Sequence, residues 1–167
     1  MKRKLLTALS ATTLLLVSCG GSSDPVDAYV EIAVRTNCAL ADLAKFYESD
    51  EVSSVESDED FEQIASEFQS LHAEAADSIQ AAMRDMAAVD WPEYVVDDVD
   101  VFLTELAKSV TFFEQLSAAD TLTDVMAANA NASADVTTGE VIKAKLGITD
   151  EQVPDTNDID ELIAFCS

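Results

Sequence analysis

Residues 61–86 read FEQIASEFQSLHAEAADSIQAAMRDM, and within them Phe61, Ile64, Phe68, Leu71, Ala75, Ile79, Ala82 and Met86 recur three and four residues apart. A helix advances about 100° per residue, so this spacing puts the eight side chains on one face and predicts a long amphipathic helix with that face in a core. Val89-Asp90-Trp91-Pro92 interrupts the pattern, and Val95, Val99, Phe102, Leu106, Val110, Phe113 and Leu116 then repeat it. Two long helices joined by so short a turn are expected to lie antiparallel. Val101 and Phe112 fall on the far side of the second of them. Either a further segment covers them or they are exposed contacts.

Upstream, Asp24-Pro25 is a helix start: a capping carboxylate followed by proline at the first helical position, where its missing N–H costs nothing. From there to about Ser49 the polar residues Asp27, Glu31, Arg35, Asp42, Lys45 and Ser49 share one narrow stripe, and nearly everything else is apolar. Such a helix is buried over a broad face. Cys38 belongs to the polar stripe by its spacing from Arg35 and Asp42, which implies that another segment lies over the stripe there. Thr36 and Asn37 project toward the apolar side, where they either line a pocket or satisfy a buried hydrogen bond.

Glu48 to Asp60 carries seven carboxylates in thirteen residues and reads as a solvated loop. Its last acids, Asp58, Glu59 and Asp60, suit the positive end of the next helix's dipole. Beyond Asp120 the pattern weakens. Leu122, Val125 and Met126 begin a short helix, Thr137-Thr138-Gly139-Glu140 begins another that stops at Gly147, residues 154–158 form a turn, and a last helix carries Leu162, Ile163, Phe165 and Cys166. No segment has the two-residue alternation of a strand. The expected fold is an all-α antiparallel bundle of about three long helices with short C-terminal helices.

The amino terminus is a different kind of text. Met1-Lys2-Arg3-Lys4 is basic, and Leu5 to Val17 is mostly apolar but only thirteen residues long, short of the roughly 20 that span a bilayer. That is a secretory signal pattern. Leu16-Val17-Ser18-Cys19 resembles the lipobox of bacterial lipoproteins: a branched apolar residue, a tolerated second residue, a small residue and a cysteine. The resemblance implies that residues 1–18 are removed, that Cys19 is lipidated and begins the mature chain, and that the protein is exported and anchored to a bacterial membrane. Residues 19–23 then form the lipidated cysteine and a flexible tether, and residues 24–167 a single helical domain.

Removing 18 of 167 residues leaves 149, enough for one core. The nine basic residues fall to six once Lys2, Arg3 and Lys4 leave, and against 33 acidic residues the formal charge becomes −27. A surface of that sign repels phosphate backbones, so nucleic acid is excluded as a partner. With Cys19 modified, Cys38 and Cys166 remain, and in an exported protein they are expected to form a disulfide. It would also supply the segment that covers the polar stripe.

Residues able to carry chemistry are few. His72 is the only histidine and falls on the flank of its helix's core stripe. A haem held between His72 and a methionine such as Met126 is the sharp reading, without an attachment motif to support it. Neither the stretch 48–60 nor Asp155 to Glu161 has glycine where a calcium loop needs it. Asn131-Ala132-Ser133 matches a glycosylation triplet, which in a bacterial lipoprotein reads as chance. No nucleophile motif or phosphate-binding glycine loop occurs. No enzymatic activity and no cofactor are therefore expected. The favoured expectation is a membrane-anchored, non-catalytic interaction or accessory module that meets a protein partner through Val101 and Phe112. The alternative is a small-ligand or metal binder using the bundle interior, with Thr36, Asn37 and His72 at its site.

Overall fold

The computed structural model describes residues 24–131, 137–153 and 159–167. All regular structure among them is helical: α1 (Pro25–Tyr47), α2 (Asp50–Ser53), α3 (Asp58–Met86), α4 (Glu93–Ser117), α5 (Leu122–Asn131), α6 (Thr138–Leu146) and α7 (Ile159–Phe165). The signal and tether, the glycosylation triplet beyond Asn131 and the turn at 154–158 lie outside the described residues.

Two of the three long helices, α1 and α3, begin where a polar side chain takes up an unpaired backbone N–H. Asp24 Oδ1 accepts from the Val26 N–H at 2.9 Å, with Pro25 inside the first turn. Ser57 Oγ accepts from Asp60 N–H and donates to Asp60 Oδ2 at 2.7 Å, a reciprocal cap for α3 that also holds the Asp60 carboxyl below the usual carboxylate range. The Trp91 indole N–H donates to the Met86 carbonyl at 2.8 Å and so closes the end of α3 before Pro92 opens α4. In the acidic stretch, Ser49 caps the single turn α2, none of whose residues is buried. A helical turn thus replaces plain loop there, and it stays at the surface.

α3 and α4 form an antiparallel pair, with Gln69 of α3 donating to the Ala119 carbonyl just past the end of α4 and Gln80, about three turns further along α3, donating to Glu114. α1 packs against α3, and the Arg35–Asp85 ion pair links their polar margins. Six of the eight residues on the expected α3 stripe are buried, while Ile64 and Leu71 are half-buried. Fully burying each large apolar side chain contributes roughly 1.5–3 kcal/mol.

The core has two parts. One joins Tyr29 and Ile32 of α1, Ile79 and Met86 of α3, Val99 and Leu106 of α4 and Ile142 of α6. The other, toward the opposite end of α3, gathers Phe46, Phe61, Phe68, Leu116 and Ala128. α5 closes this second part. Phe112 is half-buried and packs against it, whereas Val101 is 51 % exposed, so the two residues differ in how far they stand at the surface.

α6 runs antiparallel along α4, because Thr138 at its start donates to Glu105 and Lys145 near its end reaches Asp98 and the Tyr94 carbonyl. Gly147 stops it in the left-handed conformation, φ 73°. α7 lies on α1, with Leu162 buried. The Cys38–Cys166 disulfide ties them together with 5.3 Å between the Cα atoms. The segment expected over the polar stripe at Cys38 is therefore α7.

Candidate functional site

A cavity of about 300 Å³ lies where α1, α3, α4 and α6 meet. Every one of these helices contributes a small residue to its wall: Ala33, Ala82, Ser109 and Gly139. Interiors close up when large side chains interdigitate. These four small residues leave room that Ile32, Leu40, Leu106, Phe102 and Phe113 border but do not fill. The space at Gly139 is real but tight, since a Cβ there would come within 3.2 Å of the Phe102 ring.

The lining is mainly apolar, with a few polar groups. Thr36 is buried, and its hydroxyl donates to the Ile32 carbonyl one turn back at 2.8 Å. Ser109 on α4 does the same toward the Glu105 carbonyl at 3.4 Å. The Tyr29 hydroxyl donates to the Gly139 carbonyl at 3.0 Å, pinning α6 to α1. Burial, with the nearby Glu140 carboxylate second, pushes its ionisation well above that of an ordinary tyrosine.

Lys143 closes one side. Its side chain is 5 % exposed, yet its ammonium donates to Glu140 Oε1 at 3.1 Å, Asp150 Oδ1 at 3.0 Å and the Val153 carbonyl at 3.3 Å. Burial by itself would lower its pKa, but the hydrogen bonds from Asp150 and Glu140 outweigh that and hold it above the lysine norm. Glu140 is 63 % exposed and marks the side where the cavity meets solvent.

Of the three residues suspected from sequence, Thr36 and Asn37 line this cavity and His72 does not. His72 is fully buried beside Phe68, Tyr47 and Phe113, with ring centroids 4.0, 5.7 and 5.9 Å away. Its Nδ1 contacts the Phe68 carbonyl and its Nε2 lies 2.8 Å from the Tyr47 hydroxyl. Both ring nitrogens are engaged. Met126, the methionine considered with it, is 58 % exposed on α5. Among the described residues no group of three or more His, Cys, Asp or Glu side chains is placed to hold a metal ion.

Lys143, Tyr29 and Ser109 escaped the sequence reading. A lysine in a short polar helix reads as solvated surface; the available signal was its two acidic neighbours, Glu140 one turn before it and Asp150 just beyond Gly147. No helix among the described residues is long and apolar enough to cross a membrane. No family model, no curated protein and no solved structure matches this chain.

Proposed function

We propose that this chain is a lipid-anchored extracytoplasmic bacterial lipoprotein whose helical bundle binds a small ligand in the cavity between α1, α3, α4 and α6. The cavity carries the reading. Sequence alone favours an interaction module with Val101 and Phe112 as its contact surface. Partial burial of Phe112 weakens that surface, and gathering Thr36 and Asn37 around an open volume strengthens the ligand reading. A mainly apolar concavity with a few polar groups is the usual form of a small-molecule site. Export is supported by Leu16-Val17-Ser18-Cys19 and by the Cys38–Cys166 bond, which suits an oxidising compartment. The reading assigns no catalytic step.

The test is native mass spectrometry of the protein extracted in mild detergent from its own membranes without reductant. The expected species begins at a diacylglyceryl-modified Cys19, lacks two hydrogens for the disulfide and carries one reproducible added mass. In Ala33→Leu, which fills the cavity, the added mass should be lost. A chain with no added mass in either protein overturns the ligand reading, and a chain without lipid overturns the anchor.

A further inference from the structure

The hydrogen-bond stoichiometry of the cavity wall defines what kind of guest it suits. A hydroxyl has one hydrogen to donate and two lone pairs to accept with, and an ammonium has three hydrogens and no lone pair. The hydrogens of Thr36, Ser109 and Tyr29 are each committed to a main-chain carbonyl. All three hydrogens of Lys143 are committed as well, to Glu140, Asp150 and the Val153 carbonyl. The hydroxyl and ammonium side chains of the wall therefore have oxygen lone pairs to offer and no uncommitted hydrogen. Asn37 adds one amide, which carries an acceptor as well as donors.

Charge points the same way. Lys143 is paired with Glu140, which lines the cavity, and with Asp150, which lies outside its lining, so the cationic head of Lys143 is fully neutralised and the three groups together carry one net negative charge. The whole chain, at a formal −24, concentrates cations around it. A buried cation is costly unless paired, and the exposed Glu140 carboxylate supplies a pairing partner at the cavity's edge, where the cost is least.

Building on the ligand-binding reading above, we propose that the cavity takes a small organic ammonium, with its apolar tail among Ile32, Leu40 and Leu106 and its charged head at the Glu140 mouth. A carboxylate of the same size would meet hydroxyl lone pairs, the Glu140 carboxylate and a lysine whose hydrogens are already committed. The rings of Phe102 and Phe113 in the lining add the weak attraction that aromatic groups have for organic cations.

The test uses hexylammonium, hexanol and hexanoate at physiological salt, monitored by the methyl resonances of Ala33, Ile32 and Leu106. Hexylammonium should bind at least about tenfold more tightly than hexanoate, with hexanol between them. Glu140→Gln should weaken hexylammonium about tenfold and leave hexanol within about twofold. Thr36→Val, which keeps side-chain volume and removes a lone-pair donor oxygen, should also weaken hexylammonium selectively. Ala33→Leu should abolish all binding. Hexanoate binding as well as or better than hexylammonium overturns the ammonium assignment while leaving a ligand-binding cavity. If hexylammonium shifts only surface carboxylate resonances and persists in Ala33→Leu, the assignment also fails. If none of the three probes moves the methyl resonances at millimolar concentration, the cavity reading itself fails.

Discussion

The Tyr47 hydroxyl stands 2.8 Å from Nε2 of His72, and with the ring neutral the donor in this pair is the tyrosine. Nδ1 of the same ring faces the Phe68 carbonyl, which can only accept, so Nδ1 carries the proton and Nε2 is left as the acceptor. A neutral ring with the proton on Nδ1 satisfies both contacts. Burial lowers its pKa below the ordinary 6.5, against a smaller opposing contribution from the Phe68 carbonyl.

The sign of the resulting pH dependence follows. A histidine with a depressed folded-state pKa stabilises the fold fully above its unfolded value near 6.5, and that contribution is lost as pH falls toward the folded value. Thermal unfolding should move to lower temperature between pH 7.5 and 5.5, and His72→Phe should lose less over that range than the wild type. An imidazole resonance of His72 titrating at or above 6.5 in the folded protein would contradict this. Asp60 and Asp124, held low by their Ser57 and Thr121 hydrogen bonds, act in the same direction at more acidic pH.

Tyr47→Phe should leave His72 Nε2 buried without its donor, at a cost of about 1–3 kcal/mol. Urea unfolding at pH 7.5 measures it. In the wild type the Tyr47 phenol is pushed up to about 12 by burial, so its contribution persists below pH 10 and fades as alkali ionises it.

Reduction of Cys38–Cys166 should shift the denaturation midpoint strongly. The bond spans 128 positions, and a loop of that length limits the unfolded chain by on the order of 4–5 kcal/mol in the chain-entropy model, as an upper value. Cys38→Ser with Cys166→Ser should reproduce the reduced protein and lose its sensitivity to reductant.

Lys143→Met keeps the apolar volume and removes the ammonium. Its two carboxylate partners are exposed and regain water, but the Val153 carbonyl loses its partner in a residue only 3 % exposed. A loss of about 1–3 kcal/mol is expected, read by urea unfolding. Gly147→Ala isolates a backbone effect, since nothing lies within 4 Å of a Cβ there while φ is 73°. It should cost about 1–2 kcal/mol.

The sequence carried the parts of this fold that depend on local periodicity and caps. Asp24-Pro25, the α3 stripe and Gly147 each act on a few neighbouring residues, and each marks what the structure shows. The disulfide was also legible, because Cys38 and Cys166 are the two cysteines left once Cys19 is assigned to the lipid, and Cys38 lay on a polar stripe that another segment had to cover. The cavity was not. It depends on Ala33, Ala82, Ser109 and Gly139 of four different helices facing one space, a coincidence of packing that no single helix records. For the same reason His72 could be placed on a core flank but not given its partner, Tyr47, which lies on another helix.

The ring closed by Cys38 and Cys166 contains every described helix from α2 to α7 and the second half of α1. A protease that cuts one peptide bond inside that ring produces two fragments but releases neither. The downstream piece stays fastened to α1 through Cys166. A nicked molecule would keep its full mass together until something reduced the bond.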